Sequence, residues 1–143
     1  MRSTPSRAAG EPSAEFVSLQ IQIEDAETRA ASGAHLFFST RQAAPDVLAA
    51  AGIADRFPVV VHGGVAAAAG IAGKPSPDTY TYAAQQLTID SGRCVVFEDA
   101  ISGVQAGASG EFALVVGVDR GAGAETLISN GAEVVVSDLA ELI

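Results

Sequence analysis

From His35 to the C-terminus, short apolar runs alternate with segments whose apolar residues recur at helical spacing. Leu36-Phe37-Phe38, Phe57 to Val61, Cys94 to Phe97, Ala113 to Val118 and Glu133 to Val136 read as strands. Between them, Pro45 to Ala51, Pro77 to Leu87, Ala100 to Ala108 and Ala124 to Ser129 read as helices. Proline suits the first turn of a helix and glycine the position just past its end, which bounds the first of these before Gly52 and the last before Asn130-Gly131. Tyr80, Ala83, Ala84 and Leu87 fall on one helical stripe. Cys94 to Phe97 is apolar on both faces, as central strands of parallel sheets are. This βαβ rhythm predicts an α/β fold, a three-layer α/β/α sandwich around a mostly parallel sheet. The small-residue stretches Gly63 to Gly73 and Gly121 to Gly123 read as connecting loops.

The region before His35 behaves differently. Val17, Leu19, Ile21 and Ile23 alternate with Ser18, Gln20, Gln22 and Glu24, which suits a half-exposed strand at an edge or on an open face and not a central one. Three regions follow: an N-terminus over 1–15 expected to be disordered, an atypical segment over 16–34 carrying an edge strand, and a core domain over 35–143. At 143 residues the chain is long enough for one ordinary domain.

Composition narrows the function classes. Hydrophobic residues make up 48% and charged residues 17%, a globular balance. The net charge of -9, with eight basic residues scattered singly, offers no cationic stripe for a nucleic-acid backbone. No apolar run is long enough to span a bilayer, and Met1 to Ala14 lacks the apolar stretch of a secretory signal, so a soluble, cytoplasmic protein without membrane or nucleic-acid partners is expected. Cys94, the single cysteine, sits within an apolar run and reads as a small core residue.

The candidate chemistry lies at strand ends. Lys74 is the only lysine, held in Gly73-Lys74-Pro75-Ser76-Pro77-Asp78, where the flanking prolines restrict the backbone. It offers a compact positive charge to a phosphoryl oxygen. Glu98-Asp99 ends the most apolar strand, where open α/β sheets bind ligands, and adjacent hard oxygen ligands there suit Mg²⁺. Asp99 also suits a helix cap before Ala100, but capping leaves Glu98 unexplained. Ser39 and Thr40 follow an apolar strand and offer hydroxyl and backbone N–H groups to phosphate.

Ser39 at a strand end, Lys74 in Lys-Pro-x-Pro-Asp, and Glu98-Asp99 followed by Gly103-Val104-x-Ala106-Gly107 resemble the second, third and fourth motifs of the haloacid dehalogenase superfamily, in its β-phosphoglucomutase-like branch. Ala51-Gly52-Ile53-Ala54-Asp55-Arg56-Phe57 is similar to the family's link into its third strand. The resemblance implies a Rossmann-like core in which Ser39 hydrogen-bonds the phosphoryl group, Lys74 orients it, and Asp99 with Glu98 ligates or supports Mg²⁺. Gly103 would permit close packing behind the site. The implied substrate is a small phosphorylated metabolite such as a sugar phosphate.

The upstream sequence departs from that family. Its members begin with an apolar strand ending in Asp-x-Asp, which supplies the attacking carboxylate and the acid–base group, followed by a cap domain. No Asp-x-Asp precedes Ser39, and 38 residues are too few for strand, cap and returning helix. Asp25-Ala26-Glu27 is a weak substitute, because the nine residues Ala26 to Ala34 are short for a parallel crossover. The expectation is a partial core lacking the usual first strand and the cap, and nearly inactive. The alternative is a non-catalytic phosphate- or metal-binding or regulatory module that forms homo-oligomers or takes a strand from a complementing chain.

Overall fold

A computed structural model describes residues 17–21, 34–39, 44–52, 54–57 and 59–142. The expected disordered N-terminus, 1–15, lies outside the described residues. The strands are β1 (Val17–Ile21), β2 (Ala34–Ser39), β3 (Val59–His62), β4 (Val95–Glu98), β5 (Leu114–Val118) and β6 (Val134–Val136). The helices are α1 (Ala44–Ala50), α2 (Gly63–Ala68), α3 (Asp78–Gln86), α4 (Ile101–Ser109) and α5 (Ala124–Ser129). No helix among the described residues is long and apolar enough to cross a membrane.

The strands form two ladders, β1-β2-β3 and β4-β5-β6. Within them β2 runs parallel to β3, with Ser39 opposite His62, and β4 runs parallel to β5, with Glu98 opposite Gly117. β6 adds in parallel to β5. These parallel pairs, joined through helices, are the expected α/β architecture. The departure is β1, which pairs antiparallel to β2 from Val17 opposite Phe38 to Ile21 opposite Ala34. It ends its own hydrogen-bonded ladder, and its far side lies along β4, a position the alternating pattern does not lead one to expect. A reversed strand therefore stands between the two halves of the sheet.

The core gathers where α3 and α4 meet β4 and β5. Tyr80, Ala83, Cys94, Val96, Val104, Ala106 and Leu127 are buried in one cluster. Three of the four residues on the stripe foreseen along α3, Tyr80, Ala83 and Ala84, are buried, and Leu87, the fourth, packs against their cluster. Burial pushes the Cys94 thiol up to about 11, which keeps it protonated and inert at neutral pH. Gly131, at φ 114, turns the chain after α5, and a Cβ there would lie 2.3 Å from the Cβ of Ala108 on α4.

One expected loop is a helix. α2 occupies the start of the Gly63 to Gly73 stretch, with His62 Nδ1 accepting a hydrogen bond from Gly64 N at 3.2 Å as its cap. The signal was present: four consecutive alanines, Ala66 to Ala69, carry the strongest helix propensity available and outweigh the flanking glycines.

Candidate functional site

Glu98, the last residue of β4, is 1% exposed. A carboxylate so placed is tolerable only with donors around it. Its Oε1 accepts hydrogen bonds from Lys74 Nζ and Tyr80 OH, and its Oε2 accepts from Ala100 N at 3.3 Å. Lys74 and Glu98, 24 residues apart in sequence, thus form a buried ion pair.

Local structure explains how the lysine arrives there. After α2 the segment 71–77 closes through a hydrogen bond from Ser76 N to Gly73 O, and the Lys74–Pro75 peptide is cis. Pro77 then caps α3, and Asp78 places a negative charge in its first turn, where the helix dipole favours one. That start sets Tyr80 on the buried face. Its ring stands edge-on to Phe112 at 5.9 Å between centroids, and the Lys74 ammonium lies 5.4 Å from its centre. Burial, with the charge and hydrogen bond of Glu98 and the charge of Asp99, holds the Tyr80 hydroxyl far above its ordinary titration range. The hydroxyl is therefore a permanent donor to Glu98.

Gly103 completes the arrangement. A Cβ at this position would fall 2.0 Å from Glu98 Cδ, so the first turn of α4 can close over the carboxylate only with glycine there. The close packing implied for Gly103 thus has a specific partner.

Asp99 does not cap α4. The cap residue is Ala100, with no side-chain cap bond. Asp99 instead lines a cleft of about 200 Å³ at the ends of β4, β5 and β6. Among the described residues no three His, Cys, Asp or Glu side chains stand close enough to hold a metal by themselves. Mg²⁺ commonly takes one or two carboxylates and completes its shell with water and phosphate oxygens, so Asp99, seconded by Glu98, fits such a partial site. The engaged oxygens of Glu98 make Asp99 the better direct ligand.

Ser39 ends β2 beside His62, at the edge where both strands finish. Thr40 and Asp25 lie outside the described residues. β1 ends at Ile21 opposite Ala34, the start of β2, whereas Ser39 is at the other end of that strand.

Tyr80 reads in the sequence as a core residue on a helical stripe, and its apolar spacing hides the hydroxyl's role. Arg120, Ser137 and Asp138, which also line the cleft, follow the ends of β5 and β6. That strand-end position was the available signal.

The family model for haloacid dehalogenase-like hydrolases matches residues 26–110, and the chain belongs to that family. A β-phosphoglucomutase of Mycobacterium bovis is 49% identical over 102 residues, which cover 68% of this chain and 38% of that protein. A trehalose-phosphate phosphatase of Mycobacterium leprae is 36% identical over 110 residues, covering 74% of this chain and 24% of that protein. Among solved structures, a HAD family hydrolase from Deinococcus radiodurans with bound phosphate and sodium is similar at a TM-score of 0.62 and 34% identity, over 73% of this chain and 48% of that one. The chain thus spans well under half the length of these curated relatives.

Proposed function

We propose that the chain carries part of a phosphoryl-transfer site, and that the whole activity is Mg²⁺-dependent hydrolysis or transfer of a phosphoryl group on a small phosphorylated metabolite, of the sugar-phosphate class. The carrying observation is the buried Lys74–Glu98 pair beside Asp99 at the end of β4. In this reading Lys74 neutralises a phosphoryl oxygen and Ser39 and Thr40 hydrogen-bond the group. Asp99, with Glu98, holds Mg²⁺, which when bound spreads the charge developing on the transferred group. The names of the relatives, a phosphoglucomutase and a sugar-phosphate phosphatase, support the substrate class.

The 143-residue chain alone binds but does not turn over in this reading, because no Asp-x-Asp precedes Ser39 and β1 points its trailing end away from it. The leading end of β1 is the one that approaches Ser39, and Glu15 is the carboxylate two positions ahead of Val17. Phosphate release from small phosphate esters with Mg²⁺ tests this. Background rates are expected for the wild-type chain, Asp25→Asn and Glu15→Gln alike. Turnover that disappears in either variant would contradict the reading and identify the attacking group.

A second reading, a binding module completed by a partner strand, is favoured by one observation. Among the described residues no ladder bonds join β1 to β4, although they lie side by side. A stable dimer or heterocomplex of the purified chain, in place of a monomer, would support it.

A further inference from the structure

We propose that the cleft at the ends of β4, β5 and β6 binds the hydroxylated, non-reacting part of the phosphate ester, a sugar ring, with Arg120 and Asp138 as its specificity-determining residues. The proposal rests on the phosphoryl-transfer reading above and adds the place where the rest of the substrate sits.

The cleft has the two chemistries a sugar ring needs. Phe97, Val118 and Leu139 supply apolar surface for the C–H face of a ring, and Leu139 is 43% exposed. Arg120, after β5, and Ser137 and Asp138, after β6, supply polar groups on two walls of the same cleft. Arg120 presents a planar fork of donors, Asp138 accepts through Oδ2 beside an Oδ1 that accepts from Ala140 N at 2.8 Å, and the Ser137 hydroxyl, donating to Glu141 Oε1, can still accept, a set that matches adjacent hydroxyls on a ring. A cleft of about 200 Å³ suits a monosaccharide and falls below the range of drug-sized pockets.

Both polar walls are held in place by carboxylates of their own loops. Asp119 Oδ1 accepts hydrogen bonds from Gly121 N and Gly123 N, each at 3.0 Å, which fixes the turn that carries Arg120. Those bonds hold the Asp119 carboxyl below its usual range. Glu141 Oε1 accepts from Ser137 N at 2.9 Å and Asp138 N at 3.0 Å, fixing the second wall. Neither Arg120 nor Asp138 is spent on an ion pair with the other among the described residues. Asp99 lines the same cleft, so a ligand filling it abuts the carboxylate proposed to hold Mg²⁺. That juxtaposition of a hydroxyl-matching cleft with a phosphoryl-matching corner is what points to one ester spanning both.

Amide chemical-shift mapping on the full chain with glucose 6-phosphate, and separately with inorganic phosphate, both with Mg²⁺, tests the assignment. Glucose 6-phosphate is expected to move the amides of Arg120, Ser137, Asp138 and Leu139 as well as those around Lys74 and Asp99, and inorganic phosphate only the latter. Arg120→Ala is expected to weaken glucose 6-phosphate about tenfold and inorganic phosphate less than twofold. Asp138→Asn provides a second variant with the same expected direction should Arg120→Ala disturb the fold, which its amide dispersion reports. If both ligands move the same amides, or if the variants weaken neither or both equally, the cleft assignment is overturned. If glucose 6-phosphate fills the cleft while inorganic phosphate moves nothing near Lys74, the sugar site stands and the phosphoryl reading falls.

Discussion

Replacing Lys74 with methionine is expected to cost about 3–5 kcal/mol of folding stability, most of it recovered when Glu98 is replaced by glutamine in the same chain. The reason is the asymmetry of buried ion pairs. Lys74 is 10% exposed at its side chain and Glu98 is 0% exposed, so removing the lysine leaves a carboxylate in the core with only Tyr80 OH and Ala100 N as donors. An unpaired buried charge is costly, whereas a neutral pair of similar shape is nearly as stable as the ion pair. Glutamine at 98 can still accept from Tyr80. Urea unfolding of the wild type, the two single variants and the double variant gives the coupling directly. Simple additivity of the two single losses would show that the lysine and the carboxylate do not interact as the structure places them.

Gly103→Ala is expected to destabilise the chain by about 3 kcal/mol or more, at the upper end of overpacking costs. Alanine is the better helix former, so on an exposed face of α4 the same substitution would stabilise. Here the added methyl would lie within 2.3 Å of three Glu98 atoms, Cδ, Oε1 and Oε2. The side chain cannot yield without breaking its bonds to Lys74 and Tyr80, which leaves buried polar groups unsatisfied. Gly92→Ala, on an exposed turn where the nearest atom to a new Cβ is the Asp90 side chain at 3.0 Å, is the comparison and should cost far less. Thermal unfolding of both variants separates the site-specific clash from a general intolerance of alanine.

Much of this arrangement was legible in the chain. The strands and helices from Val59 onward follow their apolar patterns closely, because parallel strands buried on both faces and helices with one apolar stripe leave clear signals. Lys74 and Glu98 were singled out by composition and position, and the fold brings them together. The limits are equally physical. α2 was hidden by glycines that read as a loop, although the alanines behind them form the helix. The direction of β1 could not be read, since alternation specifies which face is buried and says nothing of whether a neighbour is parallel. That direction matters most for function, because it brings the leading end of β1, and not its trailing end, toward Ser39. The role of the Tyr80 hydroxyl was invisible for another reason: a tyrosine on an apolar stripe looks the same whether its oxygen meets solvent or a carboxylate. Arg120 and Asp138 belong to turns whose approach depends on the stagger of β5 against β6, a tertiary property.

In the proposed reading Lys74, Asp99 and Glu98 form a working phosphate and Mg²⁺ corner even without turnover. Calorimetric titration of the chain with inorganic phosphate, with and without Mg²⁺, tests it most directly in the wild type and in Asp99→Asn. Saturable phosphate binding that Mg²⁺ tightens in the wild type and leaves unchanged in Asp99→Asn is the expected result. Equal affinity with and without Mg²⁺ in the wild type, or a Mg²⁺ effect that survives Asp99→Asn, would contradict it.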